Sequence, residues 1–347
     1  MNSSKVSGGV SSVIIFPTHV LKRYNFKYII GCGTTFPFFL TEICCLNILK
    51  DERYFPKILD VSLILSQSKI FKGVAIKMEN LGNPISVLNG NYMKYFVSIL
   101  EQVKILHSHH IVHCDLKSNN ILMDESDNIH IIDFSHSKIM SDDTTLPYCD
   151  TLLQTPTIMS PEITDGTDII SYKVDVWSLG CVLYEMITGV ELFQRCNDKY
   201  DIIHELERKN YIYKIEKYVE NEFDRKLLKY ILKENPYERP DIDDILIYIS
   251  QGTVRAPKPF TLTYSCSDFV YDYVDDILEI ILRTVVSKTD EIRHTYNIIA
   301  RCIISSLMTN DECYVVDTDK YKTANIVEEI VHITRNVNMY ECFAKWY

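Results

Sequence analysis

The sequence predicts an α+β chain: a strand-rich stretch with one helix, then a longer, mainly helical stretch, then a further helical region. Three observations predict it. Short strand-like runs (Ile14-Ile15-Phe16, His19-Val20-Leu21-Lys22, Val74-Ala75-Ile76-Lys77) gather in the first eighty residues. Apolar residues at three- and four-residue spacing dominate from Asn91 onward, the period of an amphipathic helix. Stripes of the same period recur after residue 260. With 347 residues, 46% of them hydrophobic, the chain has enough apolar surface for a large core plus one small module.

The elements follow in order. Ser7-Gly8-Gly9-Val10-Ser11-Ser12-Val13-Ile14 opens a hairpin that turns at Pro17-Thr18 into His19–Lys22; proline presets the φ of such a turn. Phe38, Phe39, Glu42, Ile43, Leu46 and Leu49 recur at helical spacing, and Tyr54-Phe55-Pro56 closes the segment. Val74–Lys77 is a strand running into Met78-Glu79-Asn80-Leu81-Gly82. Asn91–Ser108 carries Tyr95, Phe96, Ile99, Leu100, Val103 and Leu106 on one helical face. Asn128–Ile132 is strand-like and leads into Asp133-Phe134-Ser135, and Asp175-Val176-Trp177-Ser178-Leu179-Gly180 opens an apolar helix through Met186.

Charge and cysteine usage exclude several classes. There are 36 Lys+Arg against 47 Asp+Glu, net −11, with no basic run, so a phosphate-backbone binder is not expected. An acidic balance suits basic peptide partners. Eleven cysteines without a CxxC pair read as free thiols in a reducing compartment. No apolar run approaches the roughly 18–20 residues of a membrane span, and the N-terminus lacks the pattern of a signal peptide. The expectation is a soluble, intracellular, cytoplasmic protein. The histidines of His107–His113 do not form a zinc site, because no cysteine or carboxylate arrangement completes a tetrahedron.

The chemistry concentrates in His113-Cys114-Asp115-Leu116-Lys117-Ser118-Asn119-Asn120, with Asp133 beyond a strand-like run. An Asp, a Lys two residues on and an Asn five residues on lie in one loop. Phosphoryl transfer from a nucleotide needs a carboxylate to orient the attacking hydroxyl, a cation near the moving phosphoryl and oxygen ligands for Mg²⁺. Over about residues 5–251 the chain resembles the eukaryotic-type protein kinase superfamily. The resemblance implies a two-lobed kinase fold, an N-lobe sheet with one helix (about 1–80) and a mainly helical C-lobe (about 81–251), with Met78–Gly82 as the hinge. It implies that Asp115 is the catalytic base and Lys117 its cationic neighbour, and that Asn120 and Asp133 hold Mg²⁺. By the same resemblance Lys22, paired with Glu42, anchors the phosphates of ATP, Gly9 and Ser12 belong to the loop covering them, and Glu79 and Leu81 contact adenine. Lys77 matches the familiar strand motif but stands too close to Asp115 to leave room for the Glu-bearing helix and three strands. Thr155 occupies the position that Ser/Thr kinases bond to the Asp–Lys pair, Glu162 of Ser160-Pro161-Glu162 is expected to pair with Arg239, and Asp175 to hold the backbone of the catalytic loop. The implied activity is transfer of the γ-phosphoryl of Mg-ATP to Ser or Thr hydroxyls of protein substrates. Small-molecule kinases share the Asp, the Asn and the second Asp but lack the Ser-Pro-Glu element, the Asp-Val-Trp-Ser-Leu-Gly helix and the distal Arg pairing.

Three departures from the family pattern bear on activity. The covering loop has only the Gly8-Gly9 pair. Cys114 stands where regulated kinases carry an Arg that reads an activation-segment phosphate, so independence from phosphorylation at Thr144, Thr145 or Thr151 is expected. Ser135 replaces a glycine after Asp133-Phe134 and implies a less mobile metal loop. These departures raise the alternative of a pseudokinase scaffold, against which stand all six charged or amide groups: Lys22, Glu42, Asp115, Lys117, Asn120 and Asp133. Residues 252–259 read as a linker. Residues 260–347 form a helical extension with stripes such as Val270, Val274, Ile277 and Ile281, a bundle or a regulatory contact. The abundance of tyrosine, 23 residues, with frequent Ile and Asn, fits an AT-rich genome, viral or protozoan; for a viral chain the expected compartment is the host cytoplasm.

Overall fold

The computed structural model describes residues 4–7, 11–25, 35–65, 71–85, 91–140, 146–147, 154–164 and 169–255. Gly8, Gly9, Thr144, Thr145, Tyr148, Thr151, the linker from 256 on and all of 260–347 lie outside the described residues. The described residues divide into two compact units: residues up to Asn47 together with Lys57–Asn80, and Ile48–Pro56 together with the residues from Leu81.

The first unit is a five-stranded antiparallel sheet with one helix. Its strands are β1 (Ser4–Ser7), β2 (Ser12–Ile15), β3 (His19–Asn25), β4 (Ile58–Leu65) and β5 (Phe71–Glu79), in the order β1-β2-β3-β5-β4. Pro17-Thr18 turns β2 into β3 with Val13 opposite Lys22. Lys22 in turn faces Ile76 of β5. Helix α1 (Thr35–Ile48) buries Phe38, Phe39, Ile43, Cys44, Cys45 and Leu46. A helix apolar on so many sides is stable only inside a core. Burial pushes the Cys44 thiol up to about 12, away from reactivity.

The second unit is mainly helical. It begins with β6 (Asn83–Pro84), α2 (Tyr92–Ser108) and β7 (Ile111–Val112), followed by β8 (Ile121–Met123), β9 (Ile129–Ile131) and β10 (Lys138–Ile139). β6, β8 and β9 form a three-stranded sheet, and β7 pairs with β10. β11 (Leu146–Pro147) pairs with β12 (Ile169–Ile170) around the short α3 (Pro161–Thr164). Helices α4 (Lys173–Thr188), α5 (Lys199–Glu207), α6 (Asn210–Tyr218), α7 (Glu222–Ile231) and α8 (Ile242–Gln251) complete it.

Every side chain from Lys173 to Tyr184 is buried, which makes α4 the axis of this unit. Gly180 is needed there: a Cβ would stand 2.6 Å from Leu232 Cδ2, closer than packed atoms come. Gly82 is equally constrained, with φ +112 and a would-be Cβ 2.1 Å from the Met123 carbonyl oxygen. Only glycine adopts that backbone so close to another chain segment. Residues 48–56 pack here too: Phe55 meets Phe134 edge-on at 5.9 Å, Glu52 meets His109 Nε2 at 2.8 Å, and His130 Nδ1 lies 3.0 Å from the Tyr54 carbonyl oxygen.

Candidate active site

The start of the loop His113–Asn120 is held by Asp175, the third residue of α4. Its fully buried carboxylate accepts the backbone N–H of His113 (2.8 Å, Oδ2) and of Cys114 (2.9 Å, Oδ1). Cys114 has φ 63, a left-handed conformation unfavourable for a residue with a Cβ; two charge-assisted bonds compensate for it. His107 Nε2 lies 2.9 Å from the same Oδ2. His107 is therefore part of α2 and of this anchor, not a free loop histidine.

His113 is locked from both sides. Its Nδ1 accepts the Asp115 N–H at 3.2 Å, so its Nε2 carries the proton donated to the Ile132 carbonyl at 3.0 Å. The ring also packs 5.2 Å from Phe134. One residue thus ties the Asp115 loop to the segment that ends in Asp133.

Asp115, 2% exposed, is surrounded by donors. Lys117 Nζ reaches Oδ2 at 2.8 Å and Asn120 Nδ2 reaches the same oxygen at 3.0 Å. Thr155 Oγ1 donates to Oδ1 at 2.6 Å while accepting from Lys117 Nζ at 2.7 Å. Thr155 and Lys117 therefore bracket the carboxylate as the family resemblance implied. Asn120 Nδ2 also donates to the Asp115 carbonyl at 2.9 Å, which leaves the amide oxygen as its donor atom for a cation.

Asp133 follows β9 in a left-handed conformation (φ 65). The Ile132 N–H donates to the Asn120 carbonyl at 3.0 Å, so the β8–β9 hairpin brings the Asn120 and Asp133 backbones together. Ser135 Oγ donates to Asp133 Oδ1 at 2.6 Å. A glycine at 135 offers no such side-chain bond, so the serine holds the carboxylate oxygen. Phe134 is fully buried.

The segment from Gln154 onward is tied down in sequence. Gln154 Nε2 donates to the Cys114 carbonyl at 2.7 Å, Thr155 meets the Asp–Lys pair, and Ser178 Oγ donates to the Ile158 carbonyl at 3.2 Å. Glu162 then forms a bidentate pair with Arg239, 2.7 and 2.6 Å. Ser118 Oγ donates to Glu185 Oε1 at 2.8 Å, and burial pushes the Glu185 carboxyl up.

In the first unit Lys22 Nζ pairs with Glu42, 2.9 Å to Oε1 and 2.8 Å to Oε2. Both side chains are buried, and Tyr24 donates its hydroxyl to Glu42 Oε2. Lys77 makes no ion pair among the described residues. Ser12 stands opposite Ser7 and Arg23, half-buried; Gly9 is outside the described residues. The Glu79 N–H donates to the Lys57 carbonyl at 3.2 Å and its Oε2 accepts the Lys57 N–H at 3.3 Å. Leu81 is half-buried.

Sequence reasoning missed Tyr24, Gln154, Ser118 with Glu185, and the role of His107. Tyr24 carried a signal: residues two apart on a strand share a face, so Lys22 and Tyr24 point the same way.

The family model described as protein kinase domain matches residues 68–248. The chain belongs to the protein kinase family. The match begins after Lys22 and Glu42, so for those two the ion pair itself is the observation. Among curated proteins, the cell cycle serine/threonine-protein kinase CDC5/MSD2 of Saccharomyces cerevisiae is 30% identical over 186 residues, 53% of this chain and 26% of that protein. Mouse serine/threonine-protein kinase Nek1 is 30% identical over 160 residues, 44% of this chain and 12% of that protein. The probable serine/threonine-protein kinase KIN1 homolog of Enterocytozoon bieneusi is 38% identical over 130 residues, 35% of this chain and 20% of that protein. The matched stretch therefore spans about a quarter or less of these relatives. The two units have the α+β make-up of the kinase fold, an antiparallel sheet with one helix and a mainly helical second part. Among the described residues no helix is long and apolar enough to cross a membrane.

Proposed function

We propose that this chain is an ATP-dependent serine/threonine protein kinase acting on intracellular, cytoplasmic protein substrates. The observation that carries the reading is the clamp on Asp115 by Lys117, Thr155 and Asn120, which presents one buried carboxylate in one orientation. In this reading Asp115 orients the acceptor hydroxyl and takes its proton, and Lys117 offsets charge on the transferred phosphoryl. Positioning and electrostatics are the whole of such catalysis, and a preorganised site supplies both.

Asn120 Oδ1 and the Asp133 carboxylate form an all-oxygen set suited to Mg²⁺, which is held by few protein ligands together with substrate phosphates. When bound, the cation neutralises phosphate charge. Lys22, held by Glu42, takes the role of phosphate anchor, with Gly9 and Ser12 in the covering loop and adenine on the backbone of Glu79–Leu81. The kinase domain is assigned to 1–251 and the linker to 252–259, and the apolar periodicity of 260–347 reads as an extension that is either a bundle or a regulatory contact.

Independence from activation-segment phosphorylation is part of the proposal. Cys114 has no cationic group and is fully buried, so it offers a phosphate no cation. Its carbonyl instead receives Gln154, an uncharged tether for the end of that segment.

The test is transfer from labelled Mg-ATP to a generic basic protein substrate, beside Asp115→Asn. Incorporation on Ser or Thr that vanishes in the variant and survives phosphatase pretreatment is expected. Silence in both proteins, with no rise in melting temperature on adding Mg-ATP, refutes the enzymatic reading in favour of a scaffold.

A further inference from the structure

A cavity of about 1180 Å³ lies within the second unit, lined by the end of α4, by α5 and by α6. None of the candidate active-site residues lines it. Seven large apolar side chains are exposed among the described residues, and three of them, Val190, Tyr200 (69%) and Tyr218 (53%), stand on this one cavity. Isolated exposed aromatics need no explanation, but a gathering of them around a concavity does.

The charge of the lining is one-sided. Five carboxylates (Glu191, Asp201, Glu205, Glu220, Asp224) face two permanent cations, Arg195 and Lys214. Lys214 is already committed to Glu205 at 2.7 Å and to the Leu192 carbonyl at 2.9 Å. Glu191 and Glu220 are exposed on the rim. Glu191 also accepts from Thr157 Oγ1 at 3.3 Å, two residues from the Thr155 that clamps Asp115, so the cavity borders the segment leading to the candidate active site.

We propose that this cavity docks a Lys- or Arg-bearing segment of the protein substrate, remote in sequence from the acceptor residue; the proposal rests on the kinase reading for its consequence in catalysis. A guanidinium fits both features of the lining. Its planar fork pairs with rim carboxylates, and its face stacks on tyrosine. Lys199 and Lys217 now stand over the Tyr200 and Tyr218 rings at 5.4 and 5.0 Å, and an incoming guanidinium takes those faces by displacing solvated lysines. Polyphosphate ligands are disfavoured by the same carboxylates.

The test uses the full chain and a fluorescein-labelled dodecapeptide of alternating Arg and Ala, without Ser or Thr, read by anisotropy in the absence of nucleotide. Glu191→Lys with Glu220→Lys, both exposed, is expected to raise Kd about tenfold or more, and Tyr200→Ala severalfold. Asp115→Asn is expected to bind like wild type. Linking the same segment to a short acceptor peptide lowers KM in wild type and not in the charge-reversed protein, while kcat for the bare acceptor peptide is unchanged. Equal binding by wild type and the charge-reversed protein, or no binding by wild type, overturns the docking site. A bare acceptor peptide that is never phosphorylated refutes the kinase reading alone, and the anisotropy measurement still decides the docking.

Discussion

Thr155→Val removes one hydroxyl and keeps the side-chain shape, so its effect reports the clamp on Asp115 rather than a cavity. The hydroxyl donates to Asp115 Oδ1 at 2.6 Å and accepts from Lys117 Nζ at 2.7 Å. Both bonds involve a charged partner, each worth about 1.5–3 kcal/mol. Lys117 is a quarter exposed and keeps its own bond to Oδ2, so water and Lys117 recover part of the loss. A net destabilisation of about 2 kcal/mol is expected, measured by urea denaturation. Asp115 then keeps Lys117 and Asn120 on Oδ2 while Oδ1 is released, and the carboxylate can rotate. A misplaced catalytic group costs on the order of 10–100-fold in rate, so kcat falls by that factor with the KM for ATP unchanged. Thr155→Ser restores the hydroxyl and most of the rate. A Thr155→Val protein with kcat within about threefold of wild type refutes the claim that Thr155 orients Asp115.

Three further outcomes test the rest of the framework. Tyr24→Phe deletes a buried hydroxyl bound to Glu42; about 1.5–3 kcal/mol of stability and a severalfold rise in the KM for ATP are expected, and unchanged values for both remove Tyr24 from the Lys22–Glu42 unit. Arg239→Lys addresses the fully buried guanidinium whose five N–H groups reach Glu162 twice and the carbonyls of Lys173, Lys233 and Glu234. Lysine has three donors, so at least two acceptors lose their bond, and a loss of about 3–5 kcal/mol is expected in chemical denaturation; less than about 1 kcal/mol refutes the accounting. Asp124 accepts from Asn128, His130 and Ser126, and these bonds, the Asn128 side chain first, hold its carboxyl well below the usual carboxylate range. A depressed folded pKa means the stabilisation is complete above about pH 4 and is lost as pH falls through the folded value. Asp124→Asn therefore costs about 1 kcal/mol at pH 7, discounted for solvent exposure, and the gap to wild type narrows on acidification; a gap equally wide at pH 3 contradicts the assignment.

Much of the candidate site was legible in the residues. The loop His113–Asn120 is contiguous, and its contacts are short-range: Asp115 with Lys117 and Asn120 follow from a turn a few residues long. The β2–β3 hairpin was legible through Pro17-Thr18, and the preference for Lys22 over Lys77 followed from the spacing needed for an intervening helix. Glu162 and Arg239 were expected to meet because the family pattern names both. Less accessible were bonds whose partner is set by packing. His107 lies at the end of a helical stripe, and nothing in its neighbours reveals that Asp175 lies 2.9 Å away. Cys114 was legible as the absence of a cation; that Gln154 takes its carbonyl was not.

The sequence by itself determined the order of the elements, the identity of the charged groups and the strand and helix periods, because these depend on neighbours along the chain. Only the tertiary structure decided that Tyr24 completes the Lys22–Glu42 pair, that Gln154 takes the Cys114 carbonyl, and that Val190, Tyr200, Tyr218 and a surplus of carboxylates share one cavity. The physical reason is reach. A hydrogen bond forms only within about 3 Å, and which side chains distant in the chain come that close is settled by how the buried surfaces of helices and strands fit together.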